Sequence, residues 1–284
     1  MKKSVIMIPL LLSATAGTIF FGQRYSASQR EEMGLDQATA VEETEDLEDL
    51  NEANETTDAE PAKTPSGSQK TLDEYEASSD SLSLYEHLDY LSLKNDEVSL
   101  AYYGDIDVQE SWVNDLNTAL ENAVSGEYTM IDHSHSGLDT YDLYIQQTAQ
   151  PVISEDPDVI VYKLPALPDK LRDMGLNETE EFMRYLLNSI VTLEDTKVLL
   201  LEPYPVPNEI SQLNSRSLDY RSYLQRMQSV AEAYDVTLIP MHSAFIDEAS
   251  DNSLDAYFDD NDALNEEGNL LVVSILDAFF NEEL

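Results

Sequence analysis

The sequence predicts an α/β domain over residues 98–284, built as a three-layer αβα sandwich around a five-stranded parallel sheet with flavodoxin-like architecture. Short apolar runs alternate there with segments of helical periodicity. Strands that are hydrophobic along their length and alternate with helices are typical of a parallel sheet covered on both faces. The predicted strands are residues 98–103, 128–131, 159–164, 197–201 and 236–239. The predicted helices are residues 111–123, 140–149, 179–192, 218–234 and 266–280.

Residues 1–24 predict a membrane anchor. Lys2 and Lys3 precede an apolar run over residues 5–22, which is near the lower length limit for a helix that crosses a bilayer. Residues 14–16, Ala-Thr-Ala, also fit a signal-peptide cleavage site. We favour an uncleaved anchor, because cleavage there would leave an apolar stretch as the new N-terminus. Either way the lysines stay inside and the remainder is exported, tethered to the cell membrane or, if cleaved, secreted.

An acidic stalk is predicted over residues 25–71, because residues 31–62 contain 13 acidic residues and no Lys or Arg. Such a segment cannot bury enough apolar surface to offset its ordering entropy, and its like charges keep it extended. A tail that binds a basic partner is the less favoured alternative. Residues 72–97 then predict an amphipathic lead-in helix that docks on the domain. Its apolar positions recur at every third residue: Leu82, Tyr85, Leu88 and Leu91.

The charge of the chain limits its partners. Lys and Arg number 15 against 57 Asp and Glu, a formal net charge of -42, and residues 99–284 carry 36 acidic and 8 basic residues. A surface of this kind repels phosphates and anionic headgroups, so no nucleic-acid partner is expected. The sequence contains no cysteine, which excludes disulfides, thiolate metal ligands and a cysteine nucleophile. No cofactor is predicted.

Residues that follow the strands are the candidates for a binding site, because ligands of open parallel sheets lie beyond the carboxyl ends of the strands. Tyr204, between prolines in the loop after the fourth strand, could form a binding lip, although a stiff connection is the simpler interpretation. His242, just past the fifth strand, is expected on the surface. The segments of interest are residues 104–107, 132–139, 165–169 and 202–208, and the loop before the last helix.

The motifs in these segments resemble the SGNH family, also called GDSL-type esterases and lipases. The chain has Gly-Asp-Ile-Asp after the first strand, Ser-Gly-Leu-Asp after the second, Leu-Pro-Ala-Leu-Pro-Asp after the third and Asp-Asp-Asn-Asp-Ala-Leu-Asn-Glu-Glu-Gly before the last helix. The resemblance covers residues 98–280. It implies a serine nucleophile after the first strand, a glycine and an asparagine that complete the oxyanion hole, and an Asp and a His before the last helix.

The resemblance also implies that the catalytic side chains are lost. Ile106 stands at the position of the nucleophile, Leu167 at that of the oxyanion asparagine and Ala263 at that of the histidine base, while Gly137 and Asp260 are retained. Ester hydrolysis of this type requires a hydroxyl activated by an imidazole that a carboxylate orients. Without the hydroxyl and the imidazole, the site is predicted to be catalytically degenerate.

Other side chains could replace the lost ones. Ser134 or Ser136 beside His133 or His135 could supply a nucleophile and a base, although neighbours in a loop seldom have triad geometry. The two histidines with nearby aspartates could bind a divalent cation, but the sequence lacks a tight motif, so no metal site is predicted. The candidate residues of the ligand cleft are Gly104, Asp105, Asp107, His133, His135, Gly137 and Tyr204.

The favoured hypothesis is an exported, membrane-tethered pseudo-hydrolase that serves as a binding or scaffolding module at the cell envelope. Its expected partner is an envelope glycan or acyl-ester ligand, or a partner membrane protein. One alternative is an active carboxylic ester hydrolase or O-acyl transferase with a rewired site. Another is an acidic spacer that binds cations.

Overall fold

The computed structural model describes residues 70–78, 81–249 and 253–283, which belong to one compact unit spanning residues 65–284. The predicted anchor and almost all of the predicted stalk lie outside the described residues. No helix in the described part of the chain is long and apolar enough to cross a membrane.

The sheet has five parallel strands in the order β2-β1-β3-β4-β5, so β2 and β5 are its edges. This confirms the predicted three-layer α/β fold with a five-stranded parallel sheet. β3 is buried along its whole length, as expected for a central strand covered on both faces. The strands are β1 (Glu97–Gly104), β2 (Glu127–Ser134), β3 (Val159–Lys163), β4 (Lys197–Leu201) and β5 (Thr237–Ile239).

Helices cover both faces of the sheet. In the described residues these are α1 (Leu72–Glu76), α2 (Leu84–Asn95), α3 (Ser111–Ala123), α4 (Thr140–Ile145), α5 (Ala149–Glu155), α6 (Ala166–Leu171), α7 (Leu176–Ile190), α8 (Tyr220–Tyr234), α9 (Met241–Glu248) and α10 (Glu266–Phe280), with a 3-10 turn at Leu254–Tyr257.

Two apolar cores result from the alternation of side chains along each strand. In β1, Leu100 and Tyr102 face the core beneath α2, α3, α9 and α10, whereas Ala101 and Tyr103 face the core beneath α4 to α8. The lead-in segment contributes to the first core, because Leu84 and Leu88 of α2 are fully buried in it. Residues 72–97 thus form two helices and the start of β1 where one helix was predicted.

Several predicted boundaries were wrong for local reasons. The helix predicted over residues 140–149 is split, since Gln147 has a φ of 56° that ends α4 before α5 begins. Residues 165–169, for which no helix was predicted, form the start of α6. Pro165 and Pro168 are compatible with a helix there because the N–H groups of a first helical turn need no intrahelical acceptor.

His242 is buried, contrary to its expected surface position. Its side chain lies against Tyr220 with ring centroids 5.3 Å apart, because α9 begins directly after β5 and folds the histidine back onto α8. Burial lowers the pKa of His242 to about 4, so the ring is neutral at ordinary pH.

Candidate ligand cleft

A cavity of about 520 Å³, the cleft, lies at the carboxyl ends of the central strands. It is lined by side chains from the segments that follow β1 to β4 and from the loop before α10. These are the segments that the sequence analysis singled out. The lining residues fall in the ranges 105–110, 136–139, 163–172, 203–209 and 261–262, with Tyr220 behind them.

The structure brings together only part of the predicted site. Asp105, Asp107, Gly137, Leu167 and Tyr204 line the cleft. The other singled-out residues, which do not line it, are Gly104, Ile106, His133, His135, Asp260 and Ala263.

Gly104 sets the geometry of the cleft floor. Its φ is 84°, and a Cβ atom there would lie 2.4 Å from the carbonyl oxygen of Lys163 and 2.6 Å from the ring of Tyr162. Only glycine combines this backbone conformation with so close an approach. The chain then turns, the N–H of Asp105 donates to the carbonyl oxygen of Lys163 at 3.2 Å, and the Asp105 side chain enters the cleft.

The Asp105 carboxylate joins two segments of the floor. Its Oδ1 accepts a hydrogen bond from the backbone N–H of Gly137 at 2.8 Å, and its Oδ2 lies 4.0 Å from the Nζ atom of Lys163. Burial raises the pKa of Asp105, while the Lys163 ammonium and the Gly137 N–H oppose part of that rise. The floor is therefore held by a carboxylate that is largely withdrawn from solvent.

One wall is an aromatic contact network around Glu110. Its carboxylate accepts hydrogen bonds from the Tyr204 hydroxyl at 3.0 Å and from the indole N–H of Trp112. The Tyr204 ring is thereby held with its face toward Lys163, whose Nζ atom is 4.7 Å from the ring centroid. Burial, together with the Glu110 charge, raises the pKa of Tyr204, so its hydroxyl stays protonated and remains a donor.

The opposite wall contains paired charges. Arg172 donates to Asp139 at 2.6 Å and to Asp142 at 2.7 Å, and its guanidinium lies 4.6 Å from the centroid of the Tyr141 ring. Asp139 also caps α4 by accepting from the N–H of Asp142. The charge of Arg172 is therefore largely satisfied within the protein.

Asp169, the last residue of the segment 165–169, is a buried carboxyl group to which the sequence assigned no role. It accepts hydrogen bonds from the N–H and hydroxyl of Thr140 and from the hydroxyl of Thr179, so it connects α4, α6 and α7. Burial raises the pKa of Asp169 to about 7, although the hydrogen bonds favour the charged form and so oppose the rise. Its role is to hold the helices that frame the cleft.

Comparison with known proteins identifies the fold. No protein-family model and no curated protein matches the sequence. An acetylxylan esterase from Geobacillus stearothermophilus, solved as a catalytic mutant, matches with a TM-score of 0.54 at 17% identity over 66% of this chain and 95% of that one. A lipase/acylhydrolase from Enterococcus faecalis matches with a TM-score of 0.50 at 15% identity over 63% and 93%.

The chain has the SGNH-hydrolase fold. An alpha/beta hydrolase enzyme from the metagenome of Lake Arreo, Spain, is similar at the same level, with a TM-score of 0.51 and 18% identity over 64% of this chain and 94% of that one. At these identities the likeness establishes the fold but not the activity, which depends on the side chains of the site.

Ile106, which the motif comparison assigns to the nucleophile position, is a core residue. The Ile106 side chain is 0% exposed and packs in the apolar core beneath α3 and α10 instead of lining the cleft. Its backbone N–H donates to the carbonyl oxygen of Gly104 at 2.8 Å. Neither the side chain nor the N–H of Ile106 is therefore available to a ligand.

The oxyanion donors expected of an SGNH site are likewise absent or engaged. Leu167 lines the cleft but has no polar atom in its side chain, and the Gly137 N–H is bonded to Asp105. A charge developing on a substrate oxygen would meet the Asp105 carboxylate where the SGNH fold normally offers a donor. The three donor positions of the SGNH pattern are thus not offered to an oxyanion in this cleft.

Ala263, which the motif comparison assigns to the base position, lies in a tight turn before α10. The N–H of Ala263 donates to Asp259 Oδ1 at 3.1 Å, and the carbonyl oxygen of Ala263 accepts from the N–H of Asp259 at 2.8 Å. Neither Asp260 nor Ala263 lines the cleft; the neighbouring Asp262 does, and Asn208 donates to both of its carboxylate oxygens.

None of the four histidines of the chain lines the cleft. His133 Nε2 lies 3.3 Å from Glu155 Oε2, and His135 packs edge-on against the Tyr103 ring. Burial, followed by the charge of His133, lowers the pKa of His135. In the described part of the chain, no three or more His, Cys, Asp or Glu side chains are placed to hold a metal ion.

Sequence reasoning missed several side chains of the cleft, among them the charged residues Glu110, Lys163 and Arg172. Lys163 carried a recognisable signal, because a lysine at the end of a strand that is otherwise apolar must place its ammonium somewhere other than the core. Glu110 and Arg172 carried none, since charged residues are frequent at such positions in so acidic a chain.

Proposed function

We propose that this chain is a non-hydrolytic protein with an SGNH fold that binds a glycan of the cell envelope in the cleft. The observation that carries this proposal is the state of the three oxyanion positions: the Ile106 N–H and the Gly137 N–H are already bonded within the protein, and Leu167 offers no donor. The absence of every histidine from the cleft lining supports it further.

Hydrolysis at this site would have to proceed without its main sources of transition-state stabilisation. Loss of one oxyanion donor typically costs about 2.7–4 kcal/mol, and here three are absent or engaged. An attacking hydroxyl would also need a base, and a carboxylate in the cleft is a weak substitute for imidazole at neutral pH. Even with the Lys163 ammonium in the cleft, the site lacks an activated hydroxyl and an imidazole base, so ester turnover should not exceed the rate in buffer.

The ligand class follows from the chemistry of the lining. Carboxylates such as Asp107 and Asp262 accept hydrogen bonds from hydroxyl groups, and the part of the Tyr204 ring that lines the cleft offers an apolar contact for the carbon atoms of a sugar. A neutral polyhydroxylated ligand satisfies both without adding charge to an acidic site. The similar structures of an acetylxylan esterase are consistent with a carbohydrate ligand.

The proposed location rests on the N-terminal sequence. Lys2 and Lys3 followed by the apolar residues 5–22 suit an anchor with its charged end inside the cell, and the acidic residues 31–62 suit a tether between the membrane and the domain. A domain displayed in this way would meet envelope glycans directly.

The test is to assay the purified full chain with 4-nitrophenyl acetate and with acetylated xylo-oligosaccharides, together with a fluorophosphonate probe for activated serines. We expect no turnover above buffer and no labelling. Turnover that is abolished by Ser136→Ala, the substitution of the serine that lines the cleft, would contradict the proposal and establish a rewired hydrolase. Ser134→Ala, outside the lining, is the matched control.

Binding is measured separately, by calorimetric titration of the full chain with neutral soluble oligosaccharides. Saturable binding that is weakened by Tyr204→Ala supports the proposal. If no glycan binds and a membrane protein is captured through the cleft, the scaffolding alternative replaces it.

A further inference from the structure

Lys163 is a buried cation without a hydrogen-bond partner. Its side chain is 8% exposed and lines the cleft. The nearest carboxylate oxygen, Asp105 Oδ2, is 4.0 Å from Nζ, which is beyond hydrogen-bond distance, and among the described residues Nζ makes no hydrogen bond. Its other neighbour is the face of Tyr204.

The position of this ammonium is set by the fold. Lys163 is the last residue of β3, in register between Gly104 of β1 and Leu201 of β4, and its carbonyl oxygen accepts from the Asp105 N–H. Its backbone is therefore held by the sheet, and Tyr204, fixed by Glu110, limits where the side chain can lie. The donor is positioned before any ligand arrives.

A buried ammonium has three N–H donors and requires acceptors, because an uncompensated charge away from water is costly. The protein supplies one distant carboxylate and the Tyr204 ring. The N–H groups of Lys163 that remain unpaired are available on the cleft side, so a ligand that enters the cleft is expected to present an acceptor oxygen to Lys163.

The charge of the cleft selects the kind of acceptor. Six carboxylates and two cationic side chains line it, and one of those cations, Arg172, is already paired with aspartates. An anionic ligand would approach against this field, whereas a neutral carbonyl oxygen would not. A carbonyl oxygen is an acceptor only, whereas a hydroxyl oxygen also carries a proton that needs an acceptor of its own.

We propose that Lys163 recognises the carbonyl oxygen of an acyl group on the glycan, so that the cleft distinguishes acylated from unacylated sugars. This inference rests on the proposed glycan-binding function and adds the residue that determines specificity. No bond is made or broken; the acyl group is bound and released intact.

The experiment uses two matched ligand pairs, O-acetylated against unmodified xylotriose and the N-acetylglucosamine trisaccharide against cellotriose, titrated into the full chain by calorimetry. For at least one pair we expect the acylated member to bind about tenfold more tightly, the ratio expected for one hydrogen bond to a charged group. Lys163→Met should abolish that preference, so that both members of the pair bind with the same affinity.

Two further variants make the result decisive. Lys197→Met removes a half-buried lysine at the opposite end of the sheet and should leave the preference unchanged. Lys163→Gln keeps a neutral donor and should retain part of the preference; it also replaces Lys163→Met if that variant does not fold. Circular dichroism confirms that each variant is folded.

The outcomes separate the two proposals. Glycan binding without preference for the acylated member, or a preference that survives Lys163→Met, overturns the role of Lys163 and leaves the glycan-binding function standing. Binding of none of the four saccharides overturns both. A Lys163-dependent preference for trigalacturonic acid over the neutral saccharides overturns the carbonyl assignment in favour of a carboxylate.

Discussion

The carboxylate of Asp105 lies 2.8 Å from the backbone nitrogen of Gly137 and accepts its hydrogen bond. The retained glycine thus serves an internal contact of the protein and not a substrate oxygen. Gly137 and Asp105 are two of the residues that carry the resemblance to the SGNH pattern, yet their hydrogen bond engages the N–H that was predicted to serve as an oxyanion donor.

This contact predicts that restoring the missing side chains will not restore hydrolysis. The triple variant Ile106→Ser, Leu167→Asn and Ala263→His should hydrolyse 4-nitrophenyl acetate no faster than the unsubstituted chain, because the Ile106 side chain is directed into the core and the Gly137 N–H remains engaged. The double variant without Ile106→Ser serves as a control whose core is intact. Turnover in the triple variant alone would show that this position can reach a substrate.

Ile106 is expected to contribute to stability. Ile106→Ala should lower the free energy of unfolding by about 2–5 kcal/mol, the usual cost of emptying a well-packed aliphatic site. Leu270→Ala on α10, where the side chain is 58% exposed, should cost less than about 0.5 kcal/mol. Both are measured by chemical denaturation, and equal costs would contradict the buried position of Ile106.

Gly104 and Gly137 provide a comparison of backbone strain with steric overlap. Both have positive φ, but a Cβ at Gly104 would lie 2.4 Å from a carbonyl oxygen, whereas nothing lies within 4 Å of a Cβ at Gly137. Gly137→Ala should cost about 1–2 kcal/mol from its φ alone, and Gly104→Ala clearly more. The same denaturation measurement tests this order, and its reversal would refute the close approach of β1 to β3.

Asp169 predicts a pH dependence of stability. Because burial raises its folded-state pKa to about 7 from 3.8, the folded chain binds more protons than the unfolded chain between these values. Stability conferred by the protonated group is therefore full below about pH 3.8 and is lost as the pH rises to about 7. As the pH rises through this range, the free energy of unfolding of the unsubstituted chain should fall relative to that of Asp169→Asn.

The control for that experiment is Asp219, which caps α8 and has a lowered pKa through its hydrogen bonds with Ser222. Its contribution has the opposite sign: it is present above the ordinary aspartate pKa and is lost on acidification. The free energies of unfolding of Asp219→Asn and of the unsubstituted chain should therefore become more similar at low pH. A flat difference for Asp169→Asn between pH 4 and pH 7 would show that its carboxyl is not buried as described.

Trp112 is expected to report on the cleft. It is the only tryptophan of the chain, it is buried, and its indole N–H donates to Glu110, which lines the cleft and also bonds Tyr204. Glu110→Gln should shift the tryptophan emission of the unliganded chain by changing the charge beside the indole. Ligand binding should shift the emission of the unsubstituted chain; saturable binding with no spectral change would argue for a site elsewhere.

The sequence predicted the strands well because their apolar runs are continuous and bounded by loop residues, as in β4, where the predicted and observed limits agree. It predicted helices less well where a single backbone angle decides the outcome, as at Gln147. α6 was missed because prolines weaken helix propensity in general, although they do not oppose a helix in its first turn.

The location of the cleft could be predicted from the sequence, but the contacts between its side chains could not. Parallel strands end at one edge, so the loops that meet there follow from the topology alone. Whether Asp105 bonds to Gly137, or whether Lys163 is left without a partner, depends on distances of a few tenths of an ångström across segments far apart in sequence. Periodicity and spacing carry no information at that scale.

The strand order also determines how the domain avoids association. The apolar strands β3 and β4 lie inside the sheet, where each is paired on both sides. The outer strands are β5, which has three residues, and β2, which is largely exposed and carries Glu127 and Asp132. Short or charged outer strands are poor templates for adding a strand from another molecule. Copies of this domain crowded side by side should therefore not associate by extending one sheet into another.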